Sequence, residues 1–318
     1  MSLLVLKPGL LCSVQDRGRH GHAALGVGHA GAIDWPALAI ANTLVGNVTT
    51  APALEMTLVG AVLRFEHATS IALCGAEVAA RLDGEAVAGW CRIDVAAGQT
   101  LDCSRFLRGA RACLAVRGGL AVSPVLGSAS ADLNAGLGPR ALASGDRFGF
   151  GTATPAVTAS PTIRFSVDPR PWFDADDERP LRLVRGRHFA ALDGPSRAAL
   201  FGARFVIGRD SNRVGIRLEG VPLRLERPFE AVSEAVADGS LQLPPSGQPI
   251  MLMAERPTTG GYPRIGQLAG ADLARLGQRR PGDGVRFVES TLDEAVAAAR
   301  RQRHELDRLL TALRERLR

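Results

Sequence analysis

Apolar and polar positions alternate along this chain in short runs, and turn residues separate the runs at close intervals. Runs at 10–14, 61–65, 70–74, 77–82, 86–93, 101–103 and 112–116 read as strands, with turns such as Asp83-Gly84 between them. That rhythm belongs to an all-β barrel or sandwich, not to βαβ units. It resumes later, with strands predicted over 204–207, 214–218, 223–225, 241–243, 250–253 and 285–288. Helical signals are few. Asp34 is a good N-cap and Pro36 suits a first turn, so a helix is predicted over 37–45, stopped by Gly46-Asn47. Short helices are expected over 196–201 and 271–276. From about 292 to 318, Val296, Ala299, Leu306, Leu309, Leu310, Leu313 and Leu317 form an apolar stripe. Asp293 and Glu294 come early there and Arg314, Arg316 and Arg318 late, as the helix dipole favours.

These patterns divide the chain into a β unit over 1–150, a linker or surface connection over 151–180, a second β unit over 181–290 and a C-terminal helix over 291–318. The connection is rich in Thr, Ala, Pro, Ser and Asp. Both β units close on a similar phrase, Gly145-Asp146-Arg147-Phe148 in one and Gly282-Asp283-Gly284-Val285-Arg286-Phe287 in the other. The echo hints at two related β units.

Composition narrows the function. The chain has 318 residues, enough for two such units. No apolar run approaches the ~20 residues that span a bilayer. The N-terminus has no basic stretch or cleavage site, so no signal peptide is read and the cytoplasm is expected. Five cysteines, with no Cys-x-x-Cys pair, argue against a disulfide framework and a structural zinc site. Cys74, Cys91, Cys103 and Cys113 fall in apolar runs and read as small core residues. Lys7 is the only lysine, which excludes a P-loop, a Schiff-base lysine and lysine-linked biotin on this chain. Net charge is +6, and residues 181–217 hold eight arginines against Asp193 and Asp210. Without interleaved aromatics or a reader motif, that patch suits an acidic small molecule or partner face better than nucleic acid.

Four glycine-punctuated polar loops, each after a strand, carry the candidate chemistry. The first is Gln15-Asp16-Arg17-Gly18-Arg19, and the second is Gly31-Ala32-Ile33-Asp34. The third is Asp210-Ser211-Asn212-Arg213, and the fourth is Thr258-Thr259-Gly260-Gly261-Tyr262. Glu55 adds an acid among apolar neighbours. Adjacent glycines can take positive φ and point successive N–H groups into one anion-binding concavity, while a plain tight turn ending at Pro263 is the alternative for the fourth loop. Together the loops supply arginine forks, amides, hydroxyls and N–H groups, a kit for a carboxylate, a carbamoyl group or a phosphorylated carbonyl. His20, His22 and His29 lie close in sequence without an accompanying ligand cluster, so they read as surface imidazoles and no metal site is assigned. No Gly-x-Ser-x-Gly elbow supports a Ser-His-Asp triad.

The ordered motifs resemble the biotin-dependent carboxyltransferase-like family also called allophanate hydrolase subunit 2, whose members include the C-type component of 5-oxoprolinase and an antagonist of the Kip kinase inhibitor. The carriers are Val14-Gln15-Asp16-Arg17-Gly18-Arg19, Gly31-Ala32-Ile33-Asp34, Ala41-Asn42-Thr43-Leu44-Val45-Gly46-Asn47 and Ala53-Leu54-Glu55. Later come Ser211-Asn212-Arg213-Val214-Gly215-Ile216-Arg217-Leu218-Glu219-Gly220, Leu243-Pro244-Pro245-Ser246-Gly247-Gln248-Pro249 and Thr258-Thr259-Gly260-Gly261-Tyr262-Pro263. The resemblance covers roughly residues 3 to 310. It implies a mainly β fold with two cyclophilin-like β-barrel subdomains, short helices and a C-terminal α-helix. It also implies a heteromeric complex with a Kip-inhibitor-like subunit of the 5-oxoprolinase B type and a further protein of the A type. That complex would open 5-oxo-L-proline to L-glutamate with Mg-ATP held on a partner, nothing being bound covalently to this chain. On that reading Asp16, Asp34, Glu55 and Arg213 are catalytic. Gln15, Arg17, Arg19, Gly31, Ala32, Asn212, Thr258, Thr259, Gly260, Gly261 and Tyr262 bind substrate. Two alternatives are a carboxyltransferase component of a biotin-dependent urea carboxylase-like system and a non-enzymatic regulator that binds a Kip-type histidine kinase inhibitor. The chain departs from the family loop Ser-Asp-Arg-Met-Gly-Tyr at Asn212, Val214 and Ile216, and from its Ser-Gly-Ala-Met-Asp at Ala30 and Ile33.

Overall fold

Alternation within the strand Ala53–Thr57 sets the layering of the N-terminal part of the chain. Leu54 and Met56 point to one side and Ala53 and Glu55 to the other, as the two-residue period of a strand requires. The computed structural model describes residues 1–151, 165–176, 179–227 and 231–317, and these fall into two units. Unit 1 comprises Met1–Arg19, Ala30–Asp174 and Glu305–Arg318; unit 2 comprises His20–His29 and Ala175–His304. Most of the expected connection, residues 152–164 and 177–178, lies outside the described residues. Next to it, Val167 is buried and its N–H donates to the Trp90 carbonyl (2.8 Å).

In unit 1 a five-stranded sheet orders Leu11–Gln15, Ala53–Thr57, Phe106–Val116, Thr69–Val78 and Arg92–Val95. A six-stranded sheet includes Ser2–Lys7, Val62–Phe65 and Thr100–Asp102. Leu3, Val5, Val14, Leu54, Met56, Leu63, Phe65, Ile71, Leu101 and Leu114 from both sheets share one core. The other face of the five-stranded sheet is made small by Ala53, Ala72, Cys74, Cys113 and Ala115, which lets a helix dock closely. That helix, α1 (Trp35–Leu44), is buried from Pro36 to Leu44. Asp34 caps it, accepting the Ala37 N–H at 3.1 Å. Leu306, Leu310 and Leu313, on the second half of the C-terminal helix, pack into the same cluster.

Unit 2 holds an eight-stranded sheet that runs from Gly284–Val285 through Phe205–Ile207, Gly215–Glu219, Ile250–Leu252, Ser240–Gln242, Arg264–Leu268 and Leu181–Arg185 to Phe287–Glu289. Its two outermost strands are consecutive in sequence, so residues 284–289 supply both edges and draw the sheet into a barrel. The rings of Phe205 and Phe287 meet across that closure at 6.1 Å. Among the described residues the helices are α1, α2 (Gly194–Gly202), α3 (Leu273–Gly277) and α4 (Leu292–Arg316), which makes the chain mainly β.

The two closing phrases have the same geometry. In unit 1 the Gly145 N–H donates to the Val5 carbonyl and the Val5 N–H to the Asp146 carbonyl, both at 2.8 Å. In unit 2 the Gly282 N–H donates to the Ile207 carbonyl (2.8 Å) and the Ile207 N–H to the Asp283 carbonyl (3.0 Å). Each glycine has a positive φ, +89° and +95°, and each aspartate carboxylate accepts the N–H three residues back. The echo in the sequence is therefore a repeated strand-entry turn.

Some expectations shift. The stretch 223–225 forms only an isolated bridge, Leu192 to Leu225, and no strand. Ser2–Lys7 is a strand whose alternation the N-terminal reading passed over. On α4 the buried stripe starts at Ala295 and Ala298, while Val296 is 38 % exposed. Counting back from Leu306 by three and four residues reaches 302, 298 and 295, so the small residues face inward.

Four of the five cysteines are buried and Cys91 is half-buried. Burial pushes the Cys103 thiol up to about 12 and those of Cys12 and Cys74 well above their ordinary value. A thiol-reactive dye is expected to label Cys91 alone in the folded protein and all five cysteines after denaturation; native labelling of a core cysteine would contradict the packing.

Asp272, fully buried before α3, accepts from the Arg182 N–H (2.8 Å), Arg182 Nε (2.9 Å), Arg182 Nη2 (2.8 Å) and Arg275 Nη1 (2.8 Å). Burial pushes its carboxyl up, but the hydrogen bonds from Arg182 and Arg275 outweigh this and hold it below the usual carboxylate range. The unfolded chain therefore takes up this proton first. The stabilisation is complete above the unfolded value of ~3.9 and is lost as pH falls through the folded one. The urea midpoint of the wild type should fall more steeply below about pH 4 than that of Asp272→Asn, which should already be weakened at pH 7. Parallel pH profiles would remove Asp272 from this account.

Candidate functional site

The predicted site residues fall into two constellations, one in each unit. In unit 1 the strand Leu11–Gln15 runs into the 16–19 loop, and a serine segment at 128–131 receives that loop. Asp16 Oδ1 accepts from the Gly18 N–H (2.7 Å), Ser128 Oγ (2.6 Å) and Ser130 Oγ (2.6 Å). Asp16 Oδ2 accepts from the Ala129 N–H (2.7 Å), and the Asp16 N–H donates to Ser130 Oγ (2.9 Å). Four donors on one buried carboxylate make Asp16 the clamp between the two loops.

Arg19 is 1 % exposed, and its Nη2 donates to the Ser130 carbonyl. Gln15 is fully buried; its Nε2 donates to Ser13 Oγ (3.0 Å) and to the Ala131 carbonyl (3.1 Å). Arg17 is exposed and lays its guanidinium over the Trp35 ring at 4.2 Å, a cation–π contact.

The 30–34 segment folds onto this loop. Ala30 and Gly31 both have positive φ, +52° and +89°. A Cβ on Gly31 would lie 2.9 Å from the Arg17 carbonyl, so only glycine allows the approach. The Ala32 N–H then donates to the Asp16 carbonyl (3.0 Å), and the Ile33 N–H to Glu55 Oε2 (2.8 Å). Glu55 is 1 % exposed and lies opposite Ser13 and Cys113 in its sheet. Gln15, Asp16, Arg19, Gly31, Ala32 and Glu55 are thus one connected cluster, and Asp34 follows it in the chain as the cap of α1.

In unit 2, Arg213 and Glu255 are buried and pair at 2.5 Å between Nε and Oε1. The Glu255 N–H also donates to the Arg213 carbonyl (2.9 Å). Asn212 is exposed, and its Oδ1 accepts from the Val214 N–H (2.9 Å) and the Gly215 N–H (3.2 Å). The amide oxygen thus closes the loop without the family's acid.

Thr259–Gly260 is a two-residue strand paired with Glu234–Ala235. Neither Gly260 nor Gly261 has positive φ, so the backbone is extended there and the expected concavity of successive N–H groups does not form. A Cβ on Gly260 would meet the amide end of the Gln242 side chain, 2.4 Å from Nε2. Thr259, Gly261 and Tyr262 are exposed, and Thr258 and Gly260 half-buried. Gln242 Nε2 donates to the Tyr262 carbonyl at 3.4 Å.

Around these residues unit 2 carries polar groups that the sequence reading passed over. Arg264 Nε lies 2.6 Å from Glu234 Oε1, and Arg187 Nη1 3.3 Å from Glu234 Oε2. The Arg264 hydrogen bond comes first among the causes that lower the Glu234 carboxyl, with Arg187 and His188 adding to it. His188 Nδ1 accepts the Arg264 N–H (3.0 Å). Ser240 Oγ donates to Gln267 Oε1 (3.0 Å). The available signal was alternation: Ser240 and Gln242 flank Leu241, and Arg264 and Gln267 interrupt an otherwise apolar strand. In unit 1 the signal was Gly127-Ser128-Ala129-Ser130, hydroxyls at every second position after a glycine.

Each of the two β units thus bears a buried polar constellation, Asp16 and Glu55 in one and Arg213 and Glu255 in the other. The family model for the carboxyltransferase domain, subdomain A and B, matches residues 25–289, and the chain belongs to that family. Among relatives, it is 39% identical over 311 residues to the C subunit of 5-oxoprolinase from Escherichia coli, covering 96% of this chain and 97% of that one. It is 35% identical to the corresponding 5-oxoprolinase C subunit of Haemophilus influenzae, covering 93% and 94%. Among solved structures, the urea amidolyase of K. lactis matches with a TM-score of 0.87 at 28% identity, covering 96% of this chain but 20% of that longer protein.

Proposed function

We propose that this chain is the C-type subunit of an ATP-dependent 5-oxoprolinase, contributing substrate-binding groups to a site completed by partner chains. The observation that carries the reading is the end-to-end match to two proteins named as the C subunit of 5-oxoprolinase, each aligned over more than nine-tenths of both chains. The urea amidolyase match, by contrast, corresponds to a fifth of a larger protein.

In this reading the partners are two proteins in the cytoplasm, one Kip-inhibitor-like and of the B type, the other of the A type. Mg-ATP binds on a partner and activates the lactam carbonyl. Asp16 and Glu55 hold the 16–19 and 30–34 loops in register, and Asp34 anchors α1 behind them. In unit 1 Arg17, exposed beside Trp35, offers a charge to an anionic oxygen; in unit 2, taken by itself, the hydroxyls of Thr258 and Thr259 offer hydrogen bonds to one. Arg19, Gln15 and Asn212 shape the loops that present them, and the Arg213–Glu255 pair supports the turn leading to Thr258. The isolated chain is inactive. Co-expression of the three proteins followed by an assay of ATP-dependent glutamate release tests the proposal. Release from 5-oxoproline is expected; consumption of urea and bicarbonate in its place would overturn it.

A further inference from the structure

Two hairpins in unit 1 turn on the same backbone geometry with different residues at the tip. Asp83 and Gly84 join Leu82 to Glu85, with φ of +50° and +89°. Leu126 and Gly127 join Val125 to Ser128, with φ of +52° and +80°, and Val125 and Ser128 exchange two backbone hydrogen bonds (2.8 and 3.2 Å). Positive φ at both central residues defines a type I′ turn, whose first position favours Asn, Asp or Gly. Asp83 meets that preference. Leu126 does not, because its Cβ crowds the backbone in the left-handed region. Burial does not compensate, since Leu126 is 44% exposed. The surroundings are as unusual in charge. Between Arg117 and Arg140 only Asp132 is charged, and it is buried, in a chain that is 22% charged. Ala121, Ser123, Pro124 and Leu126 are exposed in this stretch, and so are residues 134–136. The turn is tied to the clamp at Asp16: the Val125 carbonyl accepts from Arg19 Nε at 3.5 Å, and Ser128 Oγ donates to Asp16 Oδ1 at 2.6 Å.

We propose that Leu126 anchors a docking surface for a partner protein of the assembly, whose matching face is apolar, uncharged and pocketed for one branched aliphatic side chain. This role rests on the 5-oxoprolinase reading, in which partner chains complete the site. The centres of protein interfaces are depleted of charge and built from side chains that lose their water on docking. An uncharged surface offers nothing to phosphate, so lipid headgroups and nucleic acid are not its occupants. A charged partner face would lose its water here and find no counter-charge. The connection to the clamp favours a partner over a second copy. The turn runs directly into Ser128, so a chain seated on Leu126 lies next to the 16–19 loop that carries the candidate site of unit 1. A strained backbone position of this kind is retained where function uses it; here it holds an apolar side chain out from the surface.

Leu126→Asn separates docking from stability. Asparagine suits the first position of a type I′ turn, so the urea midpoint of the isolated chain should hold or rise. In sedimentation velocity, binding of the variant to the separately purified A-type and B-type proteins should weaken about tenfold, the loss expected when the burial of a leucine is removed. In the complete three-protein assembly, glutamate release should fall at limiting partner and return to the wild-type kcat as partner is raised. A lowered midpoint would make Leu126 a packing residue of unit 1 and overturn its role as anchor. Binding within about twofold of wild type would remove the docking surface alone. Self-association of the isolated wild-type chain that Leu126→Asn abolishes would make a second copy the occupant and overturn the proposal. A wild-type chain that binds neither protein overturns the 5-oxoprolinase reading and the docking surface with it. A wild-type assembly that forms, loses affinity with Leu126→Asn and yet releases no glutamate overturns that reading alone.

Discussion

Asp16→Ala is expected to destabilise unit 1 by about 4 kcal/mol, among the largest effects available to a single substitution in that unit. The carboxylate receives the Gly18 and Ala129 N–H groups and the Ser128 and Ser130 hydroxyls. A buried N–H stranded by the change costs about 1–3 kcal/mol, and bonds to a charged acceptor are worth about 1.5–3 kcal/mol each. Their sum overshoots, because the serine hydroxyls can rotate to other acceptors and water can reach Gly18, which is only half-buried. Asp16→Asn should cost roughly half as much, since its amide oxygen keeps one set of donors while its NH₂ faces another N–H. Urea denaturation of the three proteins checks the order. An alanine variant within about 1 kcal/mol of wild type would show that the serine segment does not depend on the carboxylate.

The second large effect is at Glu255. Removing it leaves the buried Arg213 guanidinium without the carboxylate that faces its Nε, and breaking a buried pair from one side costs about 3–5 kcal/mol. Replacing both partners with apolar residues should cost less than the single change, because no desolvated charge is left behind. The expected order of stability is wild type and Arg213→Met/Glu255→Leu well above Glu255→Ala. A double variant weaker than the single one would mean that the pair's hydrogen-bonding geometry, not the penalty of a buried charge, holds this turn. Glutamate release should fall with Glu255→Ala, since Arg256 to Thr258 follow directly on the lost anchor.

Both effects depend on partners far apart in sequence, which explains what a single sequence could reveal. The strand rhythm, the Asp34-Pro36 helix start and the Gly-Asp closing turn are local, and each was legible because it depends on neighbours within a few residues. Asp16 was visible as a polar loop residue, but three of its four donors are 112 to 114 positions away and Ser128-Ala129-Ser130 resembles any small turn. Glu255 lies 42 residues from Arg213, and nothing in its immediate neighbours marks it as buried. Gly260 and Gly261 were misread as a nest because glycine signals conformational freedom or close approach equally well. What rules out the nest, the pairing of Thr259–Gly260 with Glu234–Ala235, is visible only in three dimensions. Glu55 was conspicuous by polarity, yet its partner, the Ile33 N–H, emerges only once α1 docks on the helix-facing side of the sheet.

The most direct test of the central claim is an omission assay. The A-type, B-type and present chains are purified separately and combined with 5-oxoproline and Mg-ATP, and glutamate is measured with and without this chain. Glutamate release should vanish when this chain is left out and return on its addition, while this chain alone releases none. Full release in its absence, or turnover by the isolated chain, would contradict the assignment.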